Sequence, residues 1–168
     1  MCMRNLNATI LTCVDAKRNS KNSNVLTYSD VFDVIVPEEI DGKFYVSNID
    51  IVINMVAMFD DKNEGYTFER NKTYICMLAV THDGNKFKGF GQFDFCVDSE
   101  KLSSCGQRDF YNTTFLVENQ MIEIPENATQ CDLVLLIKYP PEDDNGKWII
   151  QTIKRLYINK IQPPVTNI

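Results

Sequence analysis

Residues 43–59 read KFYVSNIDIVINMVAMF, and this stretch decides the fold class. The odd positions Ile49, Ile51, Ile53, Met55, Ala57 and Phe59 are all apolar. The even positions mix Val52, Val56 and Met58 with Asp50 and Asn54. Successive side chains of a strand point to opposite faces, so the pattern predicts one long strand over Lys43–Phe59 with one face fully buried.

Outward from it, short runs rich in Val, Ile, Tyr, Phe and Thr recur between clusters of Asn, Asp, Gly and Pro, the spacing of sandwiches and barrels. Upstream, Ala8–Val14 reads as a strand and Asp15–Asn24 as a polar loop or hairpin tip. Val25–Val36 resumes with a break at Ser29-Asp30, and Pro37 and Asp41-Gly42 turn the chain. Downstream, Lys72–Thr81 carries Tyr74, Cys76, Leu78 and Val80 on one face. Asp83-Gly84 then predicts a tight primed turn that pairs Lys86–Phe95 back on it. Gly89 and Gly91 in the returning strand point to close backbone approach.

Cys96–Asp109 has little pattern and reads as a surface loop with room for a short helix. Phe110–Val117 and Met121–Ile124 are strand candidates, and Cys131–Tyr139, apolar on both faces, belongs at the centre of a sheet. After the loop Pro140–Gly146, two readings compete for Trp148–Ile161. Ile149, Ile150, Ile153, Leu156, Tyr157 and Ile161 fall at helical spacing, but Trp, Ile, Thr and Tyr without Ala or Glu favour a strand paired with Cys131–Tyr139.

The 168 residues show no internal repeat, low-complexity tract or linker, so one domain over residues 1–162 with a C-terminal tail at 163–168 is expected. A chain of this size hides roughly 70% of its unfolded surface and needs no metal or disulfide to do so. No apolar run reaches the roughly 20 residues of a membrane span. With 17 basic against 23 acidic residues the net charge is −6, which disfavours broad phosphate neutralisation; neither nucleic acid nor membrane is an expected partner. The first residues carry no charged-then-apolar leader, which sets a cytoplasmic expectation with free thiols. Among the six cysteines, Cys13, Cys76 and Cys131 lie in apolar runs and read as core residues. Cys96 and Cys105 read as the exposed pair, and Cys2 stands near the start. The N-x-T tripeptides at Asn7, Asn71, Asn112 and Asn127 read as chance.

No catalytic constellation emerges. His82 is the only histidine, so every His-dependent mechanism would run through one turn residue, and there is no G-x-S-x-G elbow and no C-x-x-C pair. Carboxylates gather at Asp60, Asp61 and Glu64 and at Glu142, Asp143 and Asp144, but neither group has the spacing of a calcium loop. Gly84, Gly89 and Gly91 are spread through a hairpin rather than set between a strand and a helix, so no phosphate-binding loop is present. Lys17, Arg18 and Lys21 form a small basic group. Phe87, Phe90 and Phe93 near Lys86 and Lys88 could stack bases, although strand alternation explains them more simply. The expectation is accordingly no catalytic, metal or cofactor-binding residue and no cofactor.

The run Asn7–Met58, with its first strand, polar interruption, Leu26–Val36 and the long apolar strand after Lys43, resembles the opening of a bacterial family of small uncharacterised β-sandwich proteins, domains of unknown function. Lys72–Asn85 and Leu133–Ile161 are similar to the paired strands of immunoglobulin-like sandwiches. The resemblance implies an all-β fold, a single antiparallel immunoglobulin-like β-sandwich of about seven to nine strands with at most one short helix. It implies no activity, so no site residue is carried over. The leading functional expectation is a protein-binding or accessory protein of a bacterium or its mobile elements, not an enzyme, that binds another protein or itself through loops or a sheet edge. The alternatives are a carboxylate-based small-ligand or metal-binding enzyme centred on Asp60, Asp61 and Glu64, and a self-assembling structural protein.

Overall fold

The structure, a computed structural model, describes residues 2–18, 26–59, 67–105 and 108–160. Along them run β1 (Leu6–Cys13), β2 (Asp15–Arg18), β3 (Leu26–Ser29), β4 (Val34–Ile35), β5 (Glu38–Ile40) and β6 (Lys43–Phe59). There follow β7 (Thr73–Thr81), β8 (Lys88–Cys96), β9 (Ser103–Cys105), β10 (Arg108–Ile124), β11 (Gln130–Tyr139) and β12 (Lys147–Ile158). The all-β expectation holds, with twelve described strands in place of seven to nine; the irregular stretch after Cys96 carries a 3-10 turn at Ser99–Lys101 and the short β9. Trp148 belongs to a strand, so β-branched and aromatic content outweighs the helical spacing of its isoleucines.

The strands form two five-stranded sheets and a two-stranded ribbon, β2–β3. In the first sheet β6 is central, flanked by β1 and β10; β9 lies beyond β10 and β5 folds back on the start of β6. The second runs β4-β12-β11-β7-β8. The described pairings are antiparallel apart from the parallel contact of β4 with β12.

Alternation puts Ile49, Ile51, Ile53, Met55 and Ala57 of β6 on the same side as Leu6, Ala8 and Ile10 of β1. There they meet Tyr74, Cys76 and Leu78 of β7 and Leu133, Leu135 and Ile137 of β11 in one shared core. A smaller cluster on the opposite face of the first sheet, Cys13, Ala16 and Val52 with Leu26 and Leu116, is covered by the β2–β3 ribbon. Val52 is an even-position apolar residue of β6, so the ribbon explains why that strand is apolar on its second face.

The turns depart from the sequence reading in an informative way. The tight primed turn is made by Asp41-Gly42, both at positive φ (51° and 75°), and it joins Ile40 directly to its partner Lys43. At Asp83-Gly84 the loop is wider, since the last described rung is Val80 with Lys88. There the Asp83 carboxylate accepts from the backbone N–H groups of Asn85 (2.9 Å) and Lys86 (3.0 Å). Those bonds hold its carboxyl below the ordinary range. The close approach inferred from glycine occurs at Gly89, where an added Cβ would lie 2.7 Å from Met77 Sδ; Gly91 makes only ordinary contacts. Phe110–Val117 and Met121–Ile124 are one strand, irregular between Val117 and Ile122, with Asn119 at φ 53°.

Cys13, Cys76 and Cys131 are buried and Cys2, Cys96 and Cys105 exposed. Burial pushes the Cys76 and Cys131 thiols up to about 12, and Cys13 also titrates high, chiefly through burial. Alkylation of the native protein at neutral pH, mapped by mass spectrometry, should label Cys2, Cys96 and Cys105 and spare the other three until the chain is unfolded. Early labelling of Cys76 or Cys131 would contradict this core.

Candidate functional site

β8 forms one margin of the second sheet, and no described strand pairs with its outer edge. In the first sheet, β9 covers only Arg108–Phe110 of β10, which leaves the long remainder of that edge without a described partner. The two open edges lie side by side. Phe93 of β8 packs on Phe115 of β10 with ring centroids 4.1 Å apart, and Phe95 approaches Tyr111 at 6.0 Å. Farther along, Lys88 reaches Glu123 at 3.8 Å.

Between these edges, toward the end of β10, lies a hollow of about 240 Å3. Its apolar wall comes from Val80, Phe87, Phe90, Met121 and Ile122, and its polar rim from His82, Lys86, Lys88 and Glu123. Phe90 reaches the wall through an irregularity: Leu78 pairs with Gly91 but Ala79 pairs with Gly89, so one residue is extra on β8. Phe87 is 38% exposed and Met121 61%, so the mouth presents apolar surface to solvent.

The rim is cationic. Glu123 is held by Lys43 at 3.1 Å and lies near Lys88, so the carboxylate is matched by two ammonium groups while Lys86 makes no ion pair among the described residues. The hydrogen bond and charge of Lys43 hold the Glu123 carboxyl below its ordinary value of 4.5, and Glu123 in turn raises Lys43. A depressed carboxyl contributes stability above its unfolded pKa and loses it as pH falls through the lowered value; because Glu123 is exposed, that contribution is small. An NMR titration of this carboxyl should show a midpoint below 4.5 that rises in Lys43→Ala. His82 adds a polar anomaly: its Nδ1 is buried and has no hydrogen-bond partner among the described residues. Such atoms are uncommon in folded proteins.

The structure brings together part of what the sequence singled out. His82, Phe87, Phe90, Lys86 and Lys88 converge on the hollow, while Phe93 turns into the core. Met121 and Glu123 were not visible as site residues, because only the pairing of β10 with β6 carries them to this edge. Asp60, Asp61, Glu64 and Lys21 lie outside the described residues, as does the tail at 163–168. Glu142 pairs with Lys72 at 3.1 Å, and Asp143 caps its own turn by accepting from Asn145 N–H at 2.9 Å. Arg18 donates to the Thr114 carbonyl at 2.9 Å, and Lys17 pairs with Asp15.

Comparison with known proteins finds no matching family model, no similar curated protein and no similar solved structure. No helix among the described residues is long and apolar enough to cross a membrane.

Proposed function

We propose that the protein is a binding module, built on an immunoglobulin-like sandwich, that takes an extended segment of a partner protein as an added strand along β8. The observation that carries the reading is the apolar hollow beside an unpaired strand edge. Strand addition draws affinity from main-chain hydrogen bonds and specificity from pockets for alternate side chains. At about 240 Å3 the hollow is smaller than the roughly 300–1,000 Å3 of small-molecule sites, and it suits one large apolar side chain. Lys86 and Lys88 select acidic residues beside that anchor.

The test uses two synthetic peptides of alternating Phe and polar residues, one with Glu and one with Lys at the polar positions. The Glu peptide should bind and slow amide exchange along β8, and the Lys86→Glu/Lys88→Glu protein should weaken it by about tenfold or more. Equal binding of both peptides, or protection confined to other strands, would overturn the reading.

A further inference from the structure

The outer face of the second sheet is apolar where an antiparallel sheet facing water is ordinarily polar. The register arranges it in rows. Ile150, Leu136, Met77 and Gln92 form one row across β12, β11, β7 and β8, and Ile153, Val134, Ala79 and Gly89 form the next. Ala79, Val134 and Leu136 make a cluster separate from the main core. Around it Trp148 is 42% exposed, Ile153 53% and Tyr157 55%. Ala79, Val134 and Leu136 are themselves enclosed, so the apolar surface this face offers to solvent is that of Trp148, Ile150, Ile153 and Tyr157.

We infer that this face docks a second copy of the chain, sheet against sheet, about a two-fold axis running across the strands. Charge placement selects that occupant. Lys138 lies at one end of the β11 column, and Asp132, paired with Arg155 at 2.9 Å, lies at the other, with Leu136 and Val134 between them. A two-fold axis across the strands exchanges the ends, which brings Lys138 of each copy to Asp132 of the other and Trp148 to Arg155. The same operation sets the exposed Ile150 on Ile153, over the enclosed Leu136 and Val134. The face is thus its own complement in charge, as an isologous contact requires. Four strands at about 4.8 Å spacing and eight residues of β11 give a footprint on the order of 500 Å2 in plan, below the ~800 Å2 a partner contributes to a standard interface and in keeping with a weak, reversible dimer. The open β8 edge lies at the margin of this face, so docking leaves it available.

Sedimentation velocity of the full chain over a wide concentration range tests the contact. A monomer–dimer equilibrium is expected. Ile153→Lys, at a half-exposed position, should weaken it by about tenfold or more with unchanged circular dichroism, and Lys138→Glu should weaken it as well. Mixing Lys138→Glu with Asp132→Lys protein should restore association between the unlike copies. Lys86→Glu at the β8 groove should leave the dimer intact, which separates this contact from the strand-addition reading. A monomer at every concentration, or an assembly indifferent to Ile153→Lys, would overturn the inference.

Discussion

Leu135→Ala should lower the unfolding free energy by about 4 kcal/mol, in the upper part of the roughly 2–5 kcal/mol range for such truncations, whereas Leu136→Ala, one residue along the same strand, should cost nearer to about 2 kcal/mol. Both side chains are almost fully buried, at 0% and 3% exposure. They differ in what lies above them. Leu135 points into the core shared by both sheets, where its removal leaves a cavity that packed neighbours on all sides cannot close. Leu136 is covered by neighbours within its own sheet, such as Met77, and water can fill the place it vacates, so its cost is mostly the transfer of the lost methyl and methylene groups. Urea denaturation at low protein concentration measures both. The docked dimer adds a further expectation: the cost of Leu136→Ala should grow with protein concentration and that of Leu135→Ala should not, because association stabilises only the state that binds. Equal costs for the two at low concentration would show that the outer face is as tightly enclosed as the core.

That contrast also shows how far the sequence could be read. The period-two pattern of residues 43–59 places β6 without error at either end, and the apolar character of Cys131–Tyr139 on both faces places β11 at the centre of its sheet. Two-sided apolarity has two physical sources, however. In β6 the second face is covered by the β2–β3 ribbon; in β11 it belongs to the small separate cluster of Ala79, Val134 and Leu136 with Met77. Periodicity measures which side chains avoid water and says nothing about which element does the covering. The same limit applies at Asp-Gly turns. Both dipeptides turn the chain, but only Asp41-Gly42 closes a two-residue hairpin, because at Asp83-Gly84 the aspartate side chain binds backbone N–H groups and stabilises a wider loop. The groove between β8 and β10 was legible only on its β8 side, as aromatics among lysines. Its other wall depends on a pairing between residues far apart in sequence.

Asp50→Ala should destabilise the protein by about 2–5 kcal/mol, a large effect for a polar residue. Asp50 sits in the middle of β6, on the even face it shares with Val52 and Asn54, and is only 6% exposed. Its two carboxylate oxygens are both used: Oδ2 accepts from Ala16 N–H and Oδ1 from Asn119 N–H, each at 2.8 Å. The first bond pins the start of the β2–β3 ribbon to the sheet. The second satisfies the irregular part of β10, where Asn119 at positive φ leaves the ladder. Alanine removes both acceptors and leaves two backbone donors short of partners, Ala16 N–H in a buried place and Asn119 N–H in a partly buried one, at a cost of about 1–3 kcal/mol for a donor that water does not reach. Asp50→Asn retains one oxygen and turns a donor toward the other N–H, so it should fall between wild type and alanine. Hydrogen exchange locates the damage. Ala16 and Asn119 should lose protection in Asp50→Ala, and the ribbon should open well before the main core, since it is held by its small cluster with Val52 and by this carboxylate. Loss confined to global stability, with the ribbon as protected as before, would mean that the apolar cluster and the Arg18 bond to the Thr114 carbonyl hold it without the carboxylate.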